Sequence, residues 1–327
     1  MVIGPVALEH PSVASLPAAI GPYPVLGRLG SGGMAEVLLA RSLGASGFSR
    51  LVAIKRPLAS FRGDGELERL LIAEARVGAR IHHRNLVSVH GLGLHEGTYY
   101  VVMDYVDGAD LGSLAAGGRP EPALAVQLVA ETLLGLHHLH QLADEHGRPL
   151  GLVHRDVSPS NVLVSRSGEV KLADYGIVKA TFVAGSTAAN IRRGKYAYMS
   201  PEQVAGDPLD ARSDLFGVGV MLVELLTGQR PYEGAGPAQV LDRIREAAPP
   251  DLAAVPPELR GAVGRCLCAQ PSARHADALS LRAALLRAVP EAARIGPPEV
   301  ARWVEGSAAE QGPPSASTPA TVIDVEP

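Results

Sequence analysis

Of the 327 residues only two are cysteine, Cys266 and Cys268. A lone C-x-C offers too few ligands for a structural zinc site and no disulfide framework, which fits a reducing compartment. Positive charge is not in excess either. Thirty Lys and Arg against 34 Asp and Glu leave a formal net charge of −4, which argues against a basic nucleic-acid-binding face. A long hydrophobic run is also missing. The best, LFGVGVMLVELL at 215–226, has twelve residues and contains Glu224, which suits a buried helix and falls short of the ~20 residues of a membrane span. The first twenty residues lack a cationic start and carry three prolines, so they do not read as a signal peptide. No internal repeat is visible. These absences point to a chain that works in the cytoplasm, with neither membrane nor nucleic acid as partner.

What is present is apolar material, 46% of the chain, enough for one large core or two smaller ones. Its periodicity changes along the sequence. Residues 23–56 read as strands, YPVLGRLG, AEVLLAR and LVAIKR, and a helix is predicted from about Asp64 to Arg80. From 121 onward the pattern is helical, with a long helix that can begin at Pro122 and further helices over 210–228, 237–247, 257–269 and 276–288. Two strand-like pieces, NVLV and VKLA, interrupt it. Strands first and helices later predict a β-rich small lobe joined to an α-rich large lobe. The end of the chain is small, polar and Pro-rich and reads as disordered.

Several residues stand out against this background. The turn LGSGGMAEV places Gly30, Gly32 and Gly33 where backbone must approach something closely or adopt positive φ. Such a hairpin can lay N–H groups over phosphates, although glycine-rich hairpins are common and this one carries little weight alone. Lys55 ends the strand VAIK. In the following helix Leu67, Leu70, Leu71 and Glu74 fall at i, i+3, i+4 and i+7, so a carboxylate lies on the apolar stripe and faces inward. An unpaired buried charge would cost several kcal/mol, roughly, so a cationic partner is expected, and Lys55 is the candidate.

The loop HRDVSPSN at 154–161 sets Asp156 and Asn161 five residues apart. Asp156 can accept the proton of an attacking hydroxyl, and Asn161 offers an amide oxygen to a magnesium ion, a hard cation that prefers oxygen. Thirteen residues later DYG supplies Asp174 as a second oxygen ligand. The histidines His137, His138 and His140 do not share one helix face, so packing and capping suit them better than metal binding.

Taken in order, GSGGMAEV, VAIK, HRDVSPSN, DYG and SPE make the chain resemble the eukaryotic-type protein kinase family, especially its bacterial serine/threonine members. The resemblance implies an α+β, bilobal fold with a β-rich N-lobe carrying one main helix and an α-rich C-lobe. The kinase domain would span 23–290, with the N-lobe at 23–103, a hinge at 104–106 and the C-lobe at 107–290. A flexible N-terminal extension would occupy 1–22, and a largely disordered tail 291–327.

It implies ATP and Mg²⁺, or Mn²⁺, as cofactors. Leu29, Gly30, Ser31, Gly32, Gly33 and Val37 would cover the nucleotide, and Ala53 and Leu163 would sandwich the adenine. Met103 would be the gatekeeper, with the backbone of Asp104 to Val106 at the adenine edge. Lys55 would hold the α- and β-phosphates with Glu74, Asp156 would be the base, and Asn161 and Asp174 the metal ligands. Glu202, Arg274 and Asp214 match structural positions of the family. The implied activity is transfer of the γ-phosphoryl group to Ser or Thr of protein substrates, including a second copy of the chain in a transient homodimer.

The departures from the pattern matter as much. Ala35 replaces the third glycine, DFG is DYG, and Ser200 opens SPE. Ser158 stands where relatives that phosphorylate Ser or Thr carry a lysine beside the transferring phosphoryl group. Losing that charge could cost on the order of 10² in rate and leave an ATP-binding pseudokinase or scaffold, the alternative reading. In RGKYAYMSPEQ, however, Lys195 stands where the family has a threonine that contacts that lysine and the catalytic Asp. The expectation is that Lys195 reaches Asp156 and restores the ammonium. Arg155 is expected to pair with a phosphate on Thr181, Ser186 or Thr187.

Overall fold

The computed structural model describes residues 16–175, 195–234, 236–246 and 250–310. The chain opens with β1 (Ala19–Ile20), β2 (Tyr23–Ser31), β3 (Ala35–Leu43) and β4 (Ser49–Pro57), then helix α1 (Gly65–Gly78), then β5 (Val89–His95) and β6 (Thr98–Asp104). These strands form one antiparallel sheet in the order β1-β2-β3-β4-β6-β5. Register divides its residues between two faces. Val37 lies opposite Lys55, and Lys55 opposite Val101, which puts these three on one face. Leu38, Ala40, Val52, Ile54, Tyr100 and Val102 fill the other, beneath Ile20 and Tyr23.

Helix α1 starts where Asp64 accepts the N–H groups of Glu66 and Leu67 at 3.0 and 3.1 Å, a side-chain cap. Leu71 and Ala75 then pack on Val101. A Cβ at Gly78 would stand 2.4 Å from Val89, so a glycine is what lets the helix end lie this close to β5.

The second lobe contains β7 (Gly108–Asp110), α2 (Leu111–Gly117), α3 (Pro122–His140), β8 (Val162–Ser165), β9 (Val170–Leu172), α4 (Pro201–Ala205), α5 (Ala211–Thr227), α6 (Pro237–Glu246), α7 (Pro257–Cys266), α8 (Ala278–Ala288) and α9 (Pro297–Glu310). Helix α3 begins at the predicted Pro122, and its apolar residues run round most of its circumference, as do those of α5. Helices of that kind have no solvent face and become the centre of a core. The large core is built on them.

Two boundaries differ from expectation. Ile20, 1% exposed, closes the small-lobe core from a strand within the region read as a flexible extension. Residues 1–15 lie outside the described part. At the other end, the tail expected from 291 instead begins with a short helical turn, Pro290–Arg294, and then forms α9. Val300 and Val304 are buried, and Trp303 Nε1 donates to the Gly118 carbonyl at 3.1 Å. The reason was readable. Val300, Trp303 and Val304 at i, i+3 and i+4 form an apolar stripe that the neighbouring Pro and Gly residues obscured. Residues 311–327, the second part of the predicted tail, lie outside the described part, as do Thr181, Ser186 and Thr187.

Candidate active site

Between the lobes lies a cleft whose roof is the β2–β3 hairpin. Gly32 N–H donates to the Ala35 carbonyl at 2.7 Å. Of the two reasons expected for Gly30, Gly32 and Gly33, positive φ is not the one, since none of them is among the positive-φ residues and neither is Ala35. A Cβ at Gly30 would meet nothing within 4 Å, so glycine here leaves open space over the cleft rather than permitting a special backbone angle. Of the residues expected to cover a nucleotide, all line the cleft except Ser31. Asp104 presents its backbone, because its carboxylate faces β5, accepting from Ser88 N–H at 3.2 Å and lying 2.7 Å from His90 Nε2.

Lys55 Nζ donates to Glu74 Oε1 at 2.8 Å and to Asp174 Oδ1 at 2.9 Å. Burial alone would lower the lysine pKa. The Asp174 and Glu74 carboxylates outweigh it and hold the ammonium well above its ordinary value, charged at any ordinary pH. The inward Glu74 predicted from helical phase therefore has the predicted partner, and it shares that partner with a residue of the second lobe.

On the floor, buried Asp214 fixes the loop that carries Asp156. It accepts the backbone N–H groups of His154 and Arg155, each at 2.8 Å, and lies 2.7 Å from His140 Nε2. Arg155 has φ of 66°, and Asp214 holds it in that strained region. Burial raises the Asp214 pKa, but the His140 contact and the backbone donors hold it below the usual carboxylate range. The His154 ring accepts the Asp156 N–H on Nδ1 at 3.3 Å, so its Nε2–H donates to the Ala173 carbonyl at 3.1 Å. Burial lowers the pKa of that ring, which keeps it neutral. These contacts give His140 and His154 packing and orienting roles.

Asn161 Nδ2 donates to the Asp156 carbonyl at 2.7 Å and to Asp156 Oδ2 at 2.8 Å, leaving its amide oxygen turned outward. Lys195 Nζ, 34 residues on, donates to that Asn161 Oδ1 and to Asp156 Oδ2, both at 2.9 Å. Ser158 does not line the cleft. It is 1% exposed, its Oγ 3.1 Å from Ser160 Oγ.

Asp174 has φ of 55°, and the next residue, Tyr175, is buried with its hydroxyl donated to the Val87 carbonyl. Farther off, Arg274 makes a buried bidentate pair with Glu202, Nη1–Oε1 2.6 Å and Nη2–Oε2 2.7 Å. The guanidinium also donates to three backbone carbonyls, which satisfies all five of its N–H groups.

Asp110 and Ser113, at the start of α2, also line the cleft mouth, as do Leu241 and Arg245 of α6 beyond Lys195. Sequence reading passed over these four. Asp110 was detectable as a cap, since Asp-x-x-Ser before an apolar run is a helix start, and it accepts the Ser113 N–H at 3.0 Å. Leu241 and Arg245 gave no local signal.

Similarity to known proteins agrees with this architecture. The family profile described as protein kinase domain matches residues 23–284. The tyrosine-protein kinase MasK of Myxococcus xanthus is 38% identical, over 81% of this chain and 42% of its own length. The serine/threonine-protein kinase PknL of Mycobacterium bovis is 37% identical, over 80% and 64%. The chain thus spans less than two thirds of these relatives. The crystal structure of the Mycobacterium tuberculosis PknI kinase domain is similar with a TM-score of 0.64 at 26% identity, covering 84% of this chain and 100% of that one.

Proposed function

The chain belongs to the protein kinase family, and from that premise we propose that it transfers the γ-phosphoryl group of ATP to Ser and Thr hydroxyls of protein substrates in the cytoplasm, where ATP is plentiful. The observation that carries the proposal is Lys195 Nζ at 2.9 Å from Asp156 Oδ2, because it supplies the charge that Ser158 takes away. Asp156 accepts the proton of the substrate hydroxyl, and Asn161 Nδ2 orients its carboxylate by donating to Oδ2. Lys195 sits against the carboxylate and neutralises charge developing on the transferring group. Lys55, aligned by Glu74, holds the α- and β-phosphates.

The donor set also fits magnesium. Asn161 Oδ1 and the Asp174 carboxylate are hard oxygens facing one cleft, and each already receives a lysine ammonium. Bound there, the ion would neutralise phosphate charge.

Two other readings have an observation behind them. The identity to a tyrosine-protein kinase favours a phenolic acceptor, and Ser158 favours a scaffold that binds ATP without transferring phosphate. One experiment separates all three. Purified protein is incubated with labelled ATP, Mg²⁺ and a generic protein substrate, and labelled residues are identified. Label on Ser and Thr, abolished in Asp156→Asn and reduced on the order of 10²-fold in Lys195→Ala, is the expected result. The exchange Lys195→Thr/Ser158→Lys should recover much of the loss.

Label on Tyr alone would favour the second reading. Nucleotide binding without label would favour the third. Self-labelling whose specific rate rises with protein concentration would place a second copy among the substrates. Mapping it to Thr181, Ser186 or Thr187 would supply a phosphate for Arg155, whose buried Nε has no hydrogen-bond partner among the described residues.

A further inference from the structure

Lys195 does more than stand in for a missing lysine, because among its acceptors are two of different kinds. Asp156 Oδ2 is anionic and belongs to the proposed base. Asn161 Oδ1 is a neutral amide oxygen and belongs to the proposed metal site. Both are at 2.9 Å. The Asn161 amide has a single oxygen, and its direction is fixed because Nδ2 is tied to the carbonyl and carboxylate of Asp156 at 2.7 and 2.8 Å. The oxygen that would bind a metal is therefore the one that Lys195 already holds.

A neutral amide oxygen supplies no charge to offset an ammonium and a divalent ion side by side, and both groups are largely withdrawn from water: the Lys195 and Asp156 side chains are 11% and 9% exposed. Repulsion between cations on one such acceptor is screened poorly there. We propose that Lys195 and the divalent ion compete for Asn161 Oδ1, so that metal loading turns Lys195 off Asn161 while it keeps Asp156. This deepens the kinase reading and rests on Asn161 as a metal ligand.

In this proposal the movement is one of the side chain. Lys195 begins the short helical turn Lys195–Tyr198, which is held to the large lobe by buried Ala197 and by the Tyr198 hydroxyl on Glu224. With that anchor fixed, a released ammonium swings about Asp156, toward the space where a phosphoryl group would lie. The Asn161 oxygen thus receives the protein's own cation at the place a metal would take, while the contact to Asp156 persists with or without the metal.

The test is Mn²⁺ binding, read as loss of the free-ion electron paramagnetic resonance signal, in the presence of a non-hydrolysable ATP analogue. Wild type is compared with Lys195→Met and Lys195→Gln, each also combined with Asn161→Ala. Removing the competing ammonium should tighten Mn²⁺ binding about tenfold in both single variants. Asn161→Ala should erase that difference. Equal or weaker Mn²⁺ binding by Lys195→Met and Lys195→Gln overturns the competition. A separate Asp174→Ala variant tests the underlying reading. If it binds Mn²⁺ as wild type does, or if wild type binds none, the metal site itself is wrong and the competition falls with it.

Discussion

Tyr175 shows how a single atom can change a site. In the sequence it is a departure, a hydroxyl added in a place expected to be apolar. In the fold that hydroxyl donates to the Val87 carbonyl, in the segment joining α1 to β5, and the ring meets His154 edge-on at 6.1 Å. Burial pushes the phenol pKa up, so it remains a donor. The preceding residue, Asp174, sits at φ of 55°, a conformation that costs about 1–2 kcal/mol in a non-glycine residue and needs holding from outside. Tyr175 is one such hold.

Tyr175→Phe keeps the ring and leaves the carbonyl unpaired, so stability should fall by about 1 kcal/mol and turnover severalfold, because Asp174 loses part of its restraint. Urea unfolding and steady-state kinetics measure the two. Unchanged values in both would mean that the hydroxyl merely fills space.

At the scale of elements, α9 joins the end of the described chain to the mouth of the cleft. It packs on α2, whose first residues line the cleft, and it meets the turn between β8 and β9. Gly168 lies in that turn with φ of 85°, and a Cβ there would stand 1.9 Å from the Pro297 carbonyl oxygen. No flexible side chain can yield at such a contact. Gly168→Ala should therefore cost about 2 kcal/mol or more and unseat the start of α9. Trp303 is the chain's one tryptophan, so its fluorescence reports the docking directly. A red shift in Gly168→Ala is expected, and an emission maximum identical to wild type would show that α9 holds without this approach.

Across the whole molecule, four histidines share a direction. Burial lowers the pKa of His83, His138, His154 and His275. For each, the folded value lies below the unfolded 6.5, so the folded protein binds fewer protons than the unfolded chain. Their contribution to stability is complete above about pH 6.5 and is lost as pH falls below it. His138, stacked on His83 at 4.9 Å where α3 meets the segment after α1, adds to the lowering of the His83 pKa. The melting temperature should be level from pH 7 to 8 and fall steadily from 6.5 to 5. A flat profile across that lower range would contradict the buried, neutral assignment.

By itself, the sequence determined which residues could do chemistry and on which elements they lie. Strand period, helix phase and capping are local, so Lys55 on a strand, Glu74 inward on a helix and the Pro122 start were all legible from neighbours a few positions away. The meeting of Lys195 with Asp156 was legible too, because Ser158 and Lys195 are each odd only beside the other. Only the tertiary structure decided distances and exclusions. That Asp174 joins the Lys55–Glu74 pair, that Ser158 turns inward, that Lys195 takes the one outward oxygen of Asn161, and that α9 closes on α2 all depend on segments far apart in the chain. Their meeting is set by how two cores pack around α1, α3 and α5, and no local pattern encodes a contact whose partners are fixed by that packing.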